Sequence, residues 1–444
     1  MKRKYILAAL LALPILALLL YQLPPVKSRL EWRIANWTAQ FQRWLNPPEE
    51  AIFVPEGGLT PTGGSDPGGT DVAQRVTATL AALSATQTLT LTPTHGATAT
   101  TSTTLSASPT VTPSPTITPT PIPASVLLTG FRHEYETWNN CGPATVGMQL
   151  SFWGWQGNQS ITAAWLKPNP RDKNVSPTEL VAYVEAETDF RAIYRVGGTP
   201  ELLKQLIAAG FPTIVEKTLD LVGVDGWIGH YALVSGYDDG RARFTTQDSY
   251  IQPDFPEPYD KLEEAWRSFN YTFITIYPPE REAELFAILG PLADPASSYQ
   301  SSVDRAIAEV AALTDVEQFF AQFNLGSGLA GLGKFDAAAT AFDAAFALYA
   351  QLAPEERPWR MNWYQHGAYQ AYYEMGRYQD VINLADTTLS TMGEQTIEET
   401  FYWRGLAKAA LGDVAGGIAD LEQAVALNEN YAAAREALAQ LQGN

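Results

Sequence analysis

The run Trp138-Asn139-Asn140-Cys141-Gly142-Pro143-Ala144-Thr145 holds the one cysteine among 444 residues. A lone thiol cannot belong to an internal disulfide framework, so Cys141 is either a small buried apolar residue or a reactive group. Its flanks favour reactivity. Pro143 lies just inside a helix start, where a missing N–H costs nothing. Val146, Met148, Leu150, Phe152 and Trp153 supply an apolar stripe before Gly154, so the pattern predicts a helix over 141–153. Cys141 then stands at a helix N-terminus, whose unsatisfied amides and dipole stabilise a thiolate. Gly142 lets the backbone approach a substrate closely.

Working downstream, Ser176-Pro177-Thr178-Glu179 reads as a capping box before a helix over 180–187. Thr199-Pro200-Glu201 opens another over 202–209, which Gly210 closes, and 211–216 is a short strand. His230–Tyr237 is a continuous, partly β-branched strand. Asp238-Asp239-Gly240 is a hairpin turn, and 241–247 returns. His230 and Asp248 are each nine residues from Asp239, so a hairpin centred there sets them side by side on adjacent strands. A thiol, an imidazole and a carboxylate in that order form a nucleophile, its base and the group that orients the base.

Asn139-Asn140-Cys141-Gly142-Pro143-Ala144-Thr145, Gly229-His230-Tyr231 and Thr246-Gln247-Asp248-Ser249 resemble the bacterial double-glycine (bacteriocin-processing) peptidase-like group. The resemblance spans roughly 131–279 and implies a papain-like α+β fold. It also implies that Cys141, His230 and Asp248 are nucleophile, base and orienting acid. That family usually places a glutamine several residues before the cysteine, whose amide stabilises the tetrahedral oxyanion. Here Glu136 occupies that region. A carboxylate there repels an oxyanion unless it is protonated, and losing one such donor costs about 100-fold in rate. The Cys141 backbone N–H and Asn140 are the other donors within reach of the sequence reading. The expected domain is 125–283.

Upstream, Lys2-Arg3-Lys4 precedes an uncharged run from Tyr5 to Leu23, long enough to span a membrane. It reads as an uncleaved signal anchor over 1–23, with a cleaved signal peptide as the alternative. Either way the folded part is expected on the extracytoplasmic side. Within 24–55, Leu30, Ile34, Trp37, Phe41 and Leu45 fall at helical spacing, which suits an interfacial helix or one packed on a partner. The 56–124 stretch is Thr, Pro, Ser, Ala and Gly, a composition that cannot offset its ordering entropy. It reads as a disordered, semi-rigid stalk that holds the module away from the surface.

The C-terminal part is helical in pattern, with a connector over 284–316. Leu332-Gly333-Lys334-Phe335, Met375-Gly376-Arg377-Tyr378 and Leu411-Gly412-Asp413-Val414 mark three similar units. Over 317–444 these fit tetratricopeptide-like repeats, with a plain helical bundle as the alternative. Such repeats present a binding face to a protein partner.

Net charge is −19 and the pI near 4.6, which argues against nucleic acid as a partner. Four histidines and one cysteine show no metal-ligand spacing, so neither metal nor cofactor is expected. The sequence therefore points to a membrane-tethered, exported cysteine peptidase acting on peptide or protein substrates. A catalytically silent peptide-binding module and a thiol acyltransferase are the alternatives.

Overall fold

The computed structural model describes residues 52–56, 122–219 and 227–443, with isolated positions between 21 and 41. The expected anchor over 1–23 (Tyr21 apart), Leu45 and all but the ends of the 56–124 stretch lie outside the described residues. Leu30, Ile34, Trp37 and Phe41 are helical and exposed. Among the described residues no helix is long and apolar enough to cross a membrane.

A mixed α/β domain comes first. Its strands are β1 (Ser125–Leu127), β2 (Arg191–Arg195), β3 (Thr213–Leu219), β4 (Ile228–Asp238), β5 (Arg243–Gln247), β6 (Phe255–Pro258) and β7 (Phe273–Tyr277). Its helices are α1 (Cys141–Phe152), α2 (Gln159–Leu166), α3 (Pro177–Glu187), α4 (Pro200–Ala208) and α5 (Tyr259–Arg267). The strands pair in the order β2-β7-β3-β4-β5-β6, all antiparallel, with β1 beside the far end of β4.

Both faces of this sheet are covered, which is why β4 reads as a continuous apolar run. Tyr231 and Leu233 pack with Val146, Met148 and Leu150 of α1 and Leu180 of α3. Ala232 and Val234 point the other way, towards Leu203 and Leu206 of α4 and Trp266 of α5. Helix α1 is buried on every side from Gly142 to Leu150, so it is a core helix and not the one-faced helix its stripe suggested. Its polar residues are accommodated: Thr145 Oγ1 donates to the Tyr231 carbonyl (3.2 Å) and Gln149 Nε2 to that of Pro212 (2.6 Å). The capping box at Ser176 forms with both of its hydrogen bonds.

The hairpin differs from the expected one. Its loop is Asp239–Ala242, and β4 carries a bulge between Val234 and Gly236. Gln247 therefore pairs with Leu233, and the position opposite Asp248 falls to Ala232 instead of His230.

A helical region follows, with α6 (Glu282–Leu289), α7 (Pro295–Ala312), α8 (Asp315–Gly331), α9 (Phe335–Gln351), α10 (Met361–Tyr364), α11 (Gly367–Glu374), α12 (Tyr378–Ser390), α13 (Glu398–Ala410), α14 (Val414–Leu427) and α15 (Ala432–Gln442). The three marked units are the turns α8/α9, α11/α12 and α13/α14. Each turns through a glycine at positive φ: Gly333 (71°), Gly376 (70°) and Gly412 (93°).

This region packs on the mixed domain. Trp227 stacks on Phe269 and Phe320, Arg360 donates to the Trp227 carbonyl (3.0 Å), and Lys173 Nζ reaches Thr396 Oγ1 (2.6 Å). At the seam Glu398 and Glu399 of α13 approach Asp172 and Glu179. Asn428 Nδ2 donates to Glu179 Oε1 (3.0 Å) and Glu398 Oε1 (2.7 Å). Burial, reinforced by the neighbouring carboxylates, holds Glu398 well above the usual carboxyl range and pushes Asp172 up to about 7. A carboxyl raised on folding stabilises below its unfolded value and loses that contribution as pH rises through the folded one. Glu398→Gln keeps an acceptor for Asn428 and removes a charge. Its Tm is expected to match wild type near pH 4.5 and to exceed it at pH 8. The gain is about 2–4 °C for each kcal/mol relieved, read by scanning fluorimetry.

Candidate active site

Cys141 is the first residue of α1, half-buried at the helix start. The loop before it is clamped from α2. Thr137 N donates to Gln159 Oε1 (3.0 Å), and Gln159 Nε2 donates back to the Tyr135 carbonyl (2.8 Å). Lys167, just past α2, donates to the carbonyls of Trp138 (3.1 Å) and Asn139 (2.9 Å) and to Asn140 Oδ1 (3.2 Å). Asn139 takes a positive φ of 50°, a strained turn held by these bonds. Burial lowers the Lys167 pKa, against the pull of Asp172, Cys141 and Glu136.

Asn140 occupies the N-cap without a side-chain cap bond. Its Nδ2 donates to Thr137 Oγ1 (2.8 Å) and its Oδ1 accepts from Lys167. The carboxamide offered by the sequence as an oxyanion donor is thus engaged within the loop, where it positions the thiol. Lys167→Met retains the apolar stem and removes three hydrogen bonds. It is expected to lower kcat about 10- to 100-fold with KM little changed, as misplacement of a nucleophile does.

His230 lies near the start of β4, and Asp248 just beyond β5. The bulge puts Asp248 opposite Ala232, so His230, two residues earlier, is its diagonal neighbour on the same face. Nε2 of His230 is 3.2 Å from Asp248 Oδ1. The same oxygen accepts from the backbone N–H of Tyr250 (2.9 Å) and Ile251 (2.8 Å), which fixes the carboxylate. Burial opposes charge on Asp248, but the imidazole overcomes it and depresses the carboxyl to about 2. Burial likewise opposes the imidazolium, and Asp248, then Cys141 and Glu136, hold His230 well above its ordinary value. The site favours a charged ring.

Glu136 closes the group. It is buried (5% exposed), with Oε2 3.9 Å from His230 Nδ1. Ser249 Oγ donates to that oxygen (2.7 Å), and Glu136 N donates to the Ser249 carbonyl (3.0 Å). Burial raises its pKa, against the attraction of His230. Donor atoms of Glu136, Cys141 and His230 all lie within 4.8 Å of one another. Such a trio has the chemistry of a zinc ligand set, with Asp248 as the outer partner of the imidazole. Sequence spacing could not show it, since the three come from separate elements. Lys167, Gln159 and Ser249 also escaped the sequence reading of the site. The helical region reaches its rim: a Cβ on Gly229, the residue before His230, would meet the Tyr364 ring at 3.1 Å.

Residues 128–274 match the Peptidase_C39 like family. The match lies wholly within the mixed domain and contains Cys141, His230 and Asp248, so this part of the chain is a C39-like domain of the cysteine peptidase fold. A solved chain from Bacillus anthracis, put forward as a C39-like peptidase, covers 34% of this chain and 96% of its own length. Its identity is 15% and its TM-score 0.29. No curated protein matches the chain. In the C39-like domain the side chains that could do chemistry converge at one place, between the start of α1 and the open ends of β4 and β5.

Proposed function

We propose that the chain is a thiol peptidase, with Cys141 as nucleophile, His230 as base and then acid, and Asp248 as the orienting carboxylate. One observation carries the reading: His230 lies between Asp248 on Nε2 and, within 4.8 Å, a thiol at a helix start. The Cys141 thiolate attacks the scissile carbonyl carbon while the imidazolium gives its proton to the departing amine. Neutral His230 then takes a proton from water, which hydrolyses the acyl-enzyme.

The oxyanion needs donors. The Cys141 backbone N–H, in the first turn of α1, has no partner within the helix. Glu136 is the second: burial raises its pKa, and in its protonated form the carboxyl can donate a hydrogen bond to developing charge. Rate is then expected to fall as pH rises through the raised Glu136 pKa. Glu136→Gln supplies a permanent amide donor and removes that fall, matching wild type at low pH and exceeding it by about 10- to 100-fold at high pH. Identical pH profiles for the two proteins would remove Glu136 from the oxyanion site.

In this proposal the enzyme is tethered by the 5–23 run, with its folded part outside the cytoplasm, and the helical region is a tetratricopeptide-like platform that presents protein substrates. What supports the platform is the three glycine-turned helix pairs and Tyr364 beside Gly229. Incubating the purified protein with a mixture of defined peptides under reducing conditions tests the reading by mass spectrometry. Internal cleavage supports it. Its complete absence selects the silent peptide-binding module, for which a carboxyl beside the thiol is the favouring observation.

A further inference from the structure

Residues 52–56, Ile-Phe-Val-Pro-Glu, lie far from the helical region in sequence yet are seated on it. Burial alternates along them: Phe53 and Pro55 are buried, while Ile52, Val54 and Glu56 are exposed. That is the period of an extended peptide with every second side chain directed into a surface. Phe53 is 5% exposed and belongs to the helical core cluster. Its ring meets Phe346 of α9 edge-on (4.9 Å between centroids) and Tyr372 of α11 (6.1 Å). Polar contacts fix the other end. Glu56 N donates to Asp380 Oδ1 (2.6 Å), and Asn383 Nδ2 donates to Glu56 Oε1 (3.2 Å). Asp380 is itself aligned by Arg377 Nε (2.7 Å), and Arg377 in turn holds Asp343 of α9.

An aromatic pocket, a second apolar contact and a polar clamp for the next backbone N–H are the parts of a peptide-recognition site. We propose that the cleft between α9, α11 and α12 binds extended segments of the form Phe-x-Pro-Glu, and that the chain's own Phe53–Glu56 fills it in cis. Both ends of the Thr/Pro-rich stretch are then fixed on the folded body, at Glu56 and at β1. Under this proposal the stretch is not the spacer that its composition suggested, and the distance to a membrane is set by the residues before Ile52. A partner presenting the same pattern binds only by displacing the cis segment.

The test uses the full-length protein and a fluorescein-labelled peptide of residues 50–58, read by anisotropy. None of its readouts involves hydrolysis, so a failure of the peptidase reading leaves them untouched. Phe53→Ala vacates the site, and the peptide is expected to bind this variant at least about tenfold more tightly than wild type, where a tethered competitor acts at high effective concentration. A peptide carrying the same alanine is expected to bind neither. Absence of binding to a Phe53→Ala protein of wild-type helicity, or equal binding to both proteins, overturns the proposal. A second arm needs no variant. Hydrogen exchange at 52–56 in wild type is expected to rise with added free peptide, and exchange indifferent to excess peptide overturns it as well.

Discussion

Cys141→Ala is expected to lower kcat for peptide hydrolysis by about 10⁴-fold or more while leaving the fold intact. The thiol is the one cysteine of the chain, so no neighbouring sulfur can substitute for it. Alanine is a good helix former and Cys141 is only half-buried, so the helix start should survive. What remains is whatever the oxyanion donors and substrate binding contribute alone. Retention of more than a few per cent of wild-type rate would remove Cys141 from the chemistry. Circular dichroism and Tm, unchanged in the variant, separate lost chemistry from lost folding.

Asp248→Ala is expected to cost about 100-fold or more, with Asp248→Asn falling between it and wild type. The carboxylate holds the ring by Nε2 and supplies the largest attraction that keeps it charged. Without it burial dominates, so imidazolium is lost at lower pH and the alkaline limb of the rate profile shifts down. In wild type the limb set by the ring, separate from the fall set by Glu136, should lie well above pH 6.5. Asparagine keeps an acceptor for the ring and for the N–H groups of Tyr250 and Ile251 but no charge. Stability should follow the same pair. His230, with a raised pKa, contributes below 6.5 and loses this as pH rises through its folded value. Asp248, depressed to about 2, contributes above 3.8 and loses this as pH falls towards 2. The alanine variant should therefore lose most Tm between pH 3.8 and 6.5. A pH-rate profile of unchanged shape would show that Asp248 does not act through His230.

Local signals were the legible ones. Gly142-Pro143 announced the start of α1, Ser176 with Glu179 the start of α3, and the marked glycines the helix turns, because each is decided within one turn of chain. Register was not legible. The loop runs to Ala242, which alone would set Asp248 opposite Leu233 on the other face; the bulge at Ser235 shifts it to Ala232 and so returns it to the face of His230, and nothing in β4 announces the extra residue. The two side chains still meet, since a diagonal neighbour on the same face is within reach of an imidazole. Strands β2 and β7 went unread; β2 is bracketed by Arg191 and Arg195, and both depend on pairing with each other across some eighty residues. The Lys167 ammonium beneath the thiol loop and the Phe53 pocket rest on contacts between distant segments, which periodicity cannot express.

The most direct measurement is the rate of Cys141 alkylation by iodoacetamide as a function of pH, in wild type and in His230→Ala, followed by intact mass. A ring within reach of the sulfur activates it, so wild type is expected to be alkylated at least about tenfold faster than His230→Ala at pH 6. Coincident profiles for the two proteins, with both following a free thiol, would contradict the assignment of Cys141 and His230 as a catalytic pair.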